Sequence, residues 1–212
     1  LLVHEGVIPS LHMPLALGCS YRWREEQRCF APIVDPWGET SVAGLYVAGD
    51  GAGIAGAAAA VPAGEITAIG AAVRLGRIDR KAADSMAAAL RVQLQRASAT
   101  RPMLDALYRP RDAVLVPDDA TILCRCEEVT AGQVRTAARI GIAGPNQVKA
   151  FTRAGMGPCQ GRQCGHAVSA ILADVSGSGM DEIGFYRLRA PLKPVTLGEL
   201  AALETPEISI LA

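Results

Sequence analysis

A chain of 212 residues balances 21 Lys+Arg against 21 Asp+Glu, so it offers no basic surface for a nucleic acid. Its longest low-polarity run, Gly51 to Val73, carries Pro62, Glu65 and Thr67 among weakly hydrophobic Ala and Gly, and no membrane span is expected. Six cysteines are too few for a disulfide scaffold and no signal peptide is visible, so a cytoplasmic setting is expected.

The chain opens "LLVHEGVIPS", without Met and already inside an apolar run, and reads as part of a longer protein. Residues 1–50 look strand-rich: "LLVHEG" and "GLYVAGD" are short apolar runs bounded by turn residues. Between them, "VDPWGETSVAG" reads as a hairpin or loop punctuated by Pro36, Gly38 and Gly44. An Ala/Gly-rich helix is predicted to run to about Leu75, with a break near Pro62. "RKAADSMAAALRVQLQRA" is a second helix whose polar face carries Arg80, Lys81, Asp84 and Arg91. "TRPMLDALYRPRDAVLVPDD" is a proline-marked linker with some helix.

The texture changes near Asp118. "TILCRC" is a short extended entry, and "VTAGQVRTAARIG" is a compact helix with a Thr130/Gln133 capping box and Gly141 as its stop. "GPNQVKAFTRAG" is another short helix, with Pro145 near its first turn. "GRQCGHAVSAILADV" is a third, with Cys164 near its start. The remainder is an extended, proline-marked tail.

Four cysteines form two close pairs, Cys124-x-Cys126 and Cys159-x4-Cys164. Four thiolates from two loops can hold zinc or a [2Fe–2S] cluster. The spacings are not those of zinc knuckles. Gly155, Gly157, Gly161 and Gly165 let backbone N–H groups approach sulfur, and helix starts with Arg125, Arg153 and Arg162 suit an anionic group. Zinc and incidental buried cysteines remain the alternatives. Cys19, Cys29, His4, His12 and His166 read as packing or loop residues. The second constellation is "GLYVAGDGAGIAGAAAA", an apolar strand entering Gly49-Asp50-Gly51 and then a small-residue helix. Its backbone and helix start could approach an anionic ligand, and Asp50 could accept from sugar-like hydroxyls; a tight strand-to-helix turn is the plainer alternative.

"LCRCEEVT…AGMGPCQGRQCG" resembles the bacterioferritin-associated-ferredoxin-like [2Fe–2S] domain, from about Ile122 to Ala173. The resemblance makes Cys124, Cys126, Cys159 and Cys164 the cluster ligands. "TSVAGLYVAGD" is similar to the C-terminal FAD motif of two-dinucleotide-binding-domain flavoproteins, which makes Gly49, Asp50 and Gly51 FAD contacts. The pyrophosphate-gripping G-x-G-x-x-G turn of that family is absent, so the N-terminal half of the FAD site is expected outside this chain.

Motif order and the tail "RAPLKPVTLGELA" resemble the A-type subunits of opine oxidases, hydrogen cyanide synthases and D-hydroxyproline dehydrogenases, from about Leu2 to Leu203. The implied fold is α/β, the C-terminal part of a two-dinucleotide-binding-domain flavoprotein followed by a small helical cluster domain. The expected units are an FAD-domain segment over 1–80, a helical linker over 81–117, the cluster domain over 118–175 and a tail over 176–212.

The implied activity is that of an oxidoreductase of CH–NH donors, in which this chain passes electrons between FAD and a [2Fe–2S] cluster. A D-amino-acid-oxidase-like B-type subunit would oxidise the substrate, and a small ferredoxin-like subunit is a further possible partner. No catalytic acid or base is expected in this chain. The alternatives are a non-catalytic iron–sulfur adaptor or sensor, and a nicotinamide-dependent reductase with an appended cluster domain.

Overall fold

The computed structural model describes residues 6–203, so the strand expected at the start of the chain lies almost wholly outside the described residues. A one-turn helix α1 (His12–Ala16) leads into a hairpin of β1 (Tyr21–Arg24) and β2 (Cys29–Pro32), with Tyr21 opposite Pro32 and Arg24 opposite Cys29. A 3₁₀ turn (Gly49–Ala52) precedes two long helices, α2 (Ala57–Arg74) and α3 (Arg80–Ser98), then two short ones, α4 (Arg101–Leu107) and α5 (Asp112–Leu115). The second half holds a minimal hairpin, β3 (Ile122–Cys124) with β4 (Val129–Thr130). Helices α6 (Ala131–Arg139), α7 (Pro145–Thr152), α8 (Gly165–Ser176), α9 (Met180–Ile183) and α10 (Leu197–Ala201) follow.

Local chemistry explains most of these ends. Thr130 and Gln133 cap α6 reciprocally, and Gly141 follows it with φ +98°. Pro145 occupies the first turn of α7. Asp79 caps α3 by accepting from the Ala82 N–H at 2.8 Å. The expected break at Pro62 does not occur. Pro62 stands in the second turn of α2, where its missing N–H frees only the Ala58 carbonyl, and Ala58 is exposed to water.

The segment Leu45–Ala48 is not a ladder strand. Among the described residues its pairing is one bridge, Glu39 to Tyr46, with bonds from the Thr40 N–H to the Leu45 carbonyl and from the Val47 N–H to the Gly38 carbonyl.

Two hydrophobic cores divide the molecule. In one, α2 and α3 pack through Ile66, Ile69, Ala83 and Ala87 around Trp37, whose ring lies under the guanidinium groups of Arg80 and Arg91. So α3 is a packing partner of α2, and the boundary expected at residue 80 falls inside this pair.

The other core gathers α6, α7 and α8 with Leu11, Phe30, Phe185, Tyr186 and Leu188. Phe30 meets Tyr21, Trp23 and Phe185 edge-on at 5.4, 5.1 and 5.8 Å. The segment expected to be tail therefore supplies three core residues, and the β1–β2 hairpin seals the same core. Aromatic area compensates for the small-residue composition.

Candidate functional site

The four paired cysteines come together. Cys124 ends β3, Cys164 is the N-cap residue of α8, and both are 1% exposed; Cys159 is half-buried and Cys126 exposed. They neighbour one another as two pairs, Cys124 with Cys164 inside and Cys126 with Cys159 at the surface. None of the described cysteines is in a disulfide.

Backbone donors distinguish the sulfurs. Burial raises the Cys159 thiol, but the N–H groups of Gln163, Gly161 and Arg162 and the Cys126 thiol donate to its sulfur and hold its pKa below the ordinary thiol value. The Cys159 N–H donates to Cys126, yet the Cys159 thiol and desolvation outweigh that bond and raise Cys126. Burial, reinforced by Cys124, pushes Cys164 up to about 12. A free thiol so buried loses its thiolate unless a positive centre takes the charge.

The glycines answer specific neighbours. A Cβ on Gly157 would lie 2.1 Å from the Cys126 Cβ and 3.1 Å from its sulfur. Gly155 and Gly161, at φ +86° and +80°, face the ring of Tyr186, and Gly165 faces the ring of Phe185. Of the four, only Gly161 lends its N–H to Cys159. The other three make room for the C-x-C loop and for two aromatic rings.

The arginines also differ from expectation. Arg153 pairs with Glu127 at 2.8 Å, and the Arg162 guanidinium turns to the carbonyls of Cys159 and Leu192. His166 is buried among Trp23, Phe30 and Phe185, its Nε2 accepts from the Phe30 N–H, and burial lowers its pKa to about 4. Cys19 and Cys29 are buried core residues.

Among the described residues no group of three or more His, Cys, Asp or Glu is disposed to hold a metal ion. A mononuclear zinc site needs its donors to converge on one point. Two cysteine pairs instead match the two-per-iron donor count of a four-cysteine [2Fe–2S] cluster. A Cβ at Gly157 would fill the space beside Cys126, so the loop leaves room next to that sulfur.

The glycine turn is built differently. Gly49 turns the chain at φ +62° into the 3₁₀ turn, where Asp50 and Gly51 follow. Asp50 Oδ1 accepts from the Ala55 and Gly56 N–H groups at 2.9 and 2.8 Å, just ahead of α2, and these bonds hold its carboxyl below the usual range. Its second oxygen has no protein partner among the described residues, and an exposed anionic oxygen suits a polyol hydroxyl.

Sequence reasoning missed two supports. Gln27, buried in the β1–β2 loop, clamps Ile54 by accepting from its N–H at 3.2 Å and donating to its carbonyl at 2.7 Å; it also donates to Asp105. Tyr186 reaches the cysteine loop from the expected tail. The adjacent aromatics Phe185–Tyr186, in a chain with 3 Phe and 4 Tyr, were the available signal. Clefts of about 470 and 520 Å³ lie behind the turn, sharing Gln27, Ile54, Arg101 and Asp105. They border neither Asp50 nor the cysteines. No described helix is long and apolar enough to cross a membrane.

Residues 120–204 match the sarcosine oxidase A3 domain family, a stretch containing all four paired cysteines together with Tyr186. The fold resembles the crystal structure of L-proline dehydrogenase from P. horikoshii, with a TM-score of 0.71 at 22% identity over 91% of this chain and 37% of that one. The chain is 30% identical to HcnB, a hydrogen cyanide synthase subunit of Pseudomonas aeruginosa, covering 97% of this chain and 44% of the relative. It is 48% identical to the A-type subunit of the opine oxidase of Rhizobium meliloti, covering 96% of this chain and 44% of the relative. Over nearly its whole length the chain is thus similar to A-type opine oxidase subunits, while spanning less than half the length of the curated relatives it matches.

Proposed function

We propose that this chain is the C-terminal part of an electron-transfer subunit in a heteromeric, flavin-dependent oxidoreductase acting on CH–NH donors. The observation that carries this reading is the meeting of four thiols from two loops, with backbone N–H groups aimed at the outer pair. Cys124, Cys126, Cys159 and Cys164 would hold a [2Fe–2S] cluster, whose chemistry when bound is one-electron transfer. Gly49, Asp50 and Gly51 would supply one end of an FAD site, the other end coming from outside these residues. In the proposed complex a D-amino-acid-oxidase-like B-type subunit oxidises the substrate C–N bond, and a small ferredoxin-like subunit is a further partner. The similarity to opine oxidase and hydrogen cyanide synthase subunits supports that assignment. Six free thiols suit a reducing, cytoplasmic setting.

The chain's own residues perform four tasks in this scheme. Cys124 and Cys164 bury the inner half of the site in the aromatic core, which excludes water. Cys126 and Cys159 bring the outer half to the surface, the side open to a redox partner. The N–H groups of Gly161, Arg162 and Gln163 favour the thiolate of Cys159. Gln27 ties the glycine turn to a hairpin whose other face packs on the cysteine core.

The test is iron and acid-labile sulfide per chain after anaerobic purification, with an EPR spectrum of the dithionite-reduced protein. About two irons and two sulfides with an S = 1/2 signal are expected. Zinc in place of iron, with no reducible chromophore, would sink the electron-transfer reading.

A further inference from the structure

We propose that the cleft between the β1–β2 loop and α4 binds a small organic acid, a carboxylate carried on an apolar body of about phenyl size. The inference is independent of the cysteine and flavin readings above. One wall of the cleft is a helix face: Arg101, Leu104, Asp105 and Tyr108 recur at i, i+3, i+4 and i+7 along α4 and its C-cap residue. Gln27 and Ile54 stand across from that face, and the cleft has two lobes of about 470 and 520 Å³, a size that takes a small molecule. Leu104, Ile54 and the exposed ring of Tyr108 supply apolar surface.

Three guanidinium groups line the lobes, and each spends one side on an acid. Arg24 Nε faces Glu26 at 3.4 Å, Arg101 Nε donates to Asp105 at 2.7 Å, and Arg109 Nη2 donates to Glu25. Asp105 is 8% exposed and also accepts from Gln27 at 3.2 Å, so its charge is answered within the protein. Among the described residues no protein acceptor meets Nη1 or Nη2 of Arg24, Nη1 of Arg101, or Nε and Nη1 of Arg109.

The backbone makes room for one of these heads. Gly53 has φ +140°, and a Cβ there would stand 3.2 Å from the Arg24 Cζ and collide with its Nη1. A glycine thus admits a guanidinium whose outer N–H groups open to the cleft. A surplus of unpaired donors selects a ligand group that only accepts, and an ionised carboxylate is such a group. Each guanidinium already faces one acid, so the excess positive charge is small. A single carboxylate suits it better than a phosphate dianion, whose second charge would stay unpaired.

The experiment is isothermal titration calorimetry of the full chain with hydrocinnamate, and with its neutral isostere hydrocinnamide. Saturable one-to-one binding of the acid is expected, and none of the amide over the same concentrations. Arg24→Gln and Arg109→Gln are each expected to weaken the acid about tenfold, the loss of a charge-assisted hydrogen bond. If Arg24→Gln does not fold, Arg109→Gln decides, because its side chain is 45% exposed. Equal binding of acid and amide, no saturable binding of the acid, or wild-type affinity in both variants overturns the inference. Displacement of hydrocinnamate by an equal concentration of inorganic phosphate overturns the choice of a carboxylate.

Discussion

The cysteine loops and the glycine turn are both tight, glycine-containing corners, but they are built to different degrees within this chain. Around the cysteines, four thiols and four N–H groups all come from residues 124–164, and the inner pair is sealed in an aromatic core. At the glycine turn, one oxygen of Asp50 is spent on the chain's own N–H groups, and the preceding residues have no ladder neighbour among the described residues. On the proposed function the first corner carries a whole site and the second only half of one. Changes near the cysteines should therefore read out in the chain alone, and changes near the turn chiefly in the proposed binding of flavin.

Gly157→Ala should have the largest effect on iron binding. Its Cβ would collide with the Cβ of the exposed Cys126. Iron affinity should fall by about tenfold or more, the scale of a lost support around a metal ligand, with flavin binding untouched. Full iron content in this variant would show that the C-x-C loop adapts and that the cradle at Gly157 is incidental.

Phe30→Ala should have the largest effect on stability, because Phe30 touches the hairpin rings and the ring of Phe185 on the cysteine side at once. A loss of about 4 kcal/mol is expected, or a melting temperature lower by roughly 8–16 °C. A small shift would mean that the hairpin and the cysteine core are energetically separate.

Gln27→Ala should cost less, about 2 kcal/mol, by leaving the Ile54 N–H unpaired in a buried place. Calorimetry should record that loss while iron content stays at the wild-type level. A parallel loss of iron would erase the contrast between the two corners.

Legibility in the sequence followed the range of the interactions. The ends of α6 and α7 were readable because Thr130, Gln133, Gly141 and Pro145 act within one turn of themselves. The cysteines were readable as sequence pairs, but the structure pairs them differently, Cys124 with Cys164 and Cys126 with Cys159. What each glycine makes room for was not readable: Gly155 and Gly161 answer a tyrosine 31 and 25 residues downstream, and Gly165 a phenylalanine 20 away. Nothing local marks such a partner. The supposed strand at Leu45–Ala48 has strand composition, but a strand needs a neighbour, and composition does not supply one. Pro62 misled in the opposite way, because a helix breaker costs little where the freed carbonyl meets water.

The smallest expected effect is a pH dependence confined to the glycine turn. Asp50 is held below its usual value of 3.8 by the Ala55 and Gly56 N–H groups, so its contribution to stability is fully present above about pH 4 and is lost as pH falls through the lower folded value. Asp50 is mostly exposed, and solvent screening limits the contribution to about 0.5 kcal/mol. Asp50→Asn keeps an acceptor oxygen without the charge. Its melting temperature should lie about 1–2 °C below wild type at pH 7, and the gap should close as pH falls through that lowered value. A gap that stays constant across that range would mean the N–H groups respond to the oxygen and not to its charge. Iron content should be the same in both proteins at pH 7. The charge of Asp50 then serves the turn and whatever hydroxyl approaches its free oxygen, and leaves the cysteine corner alone.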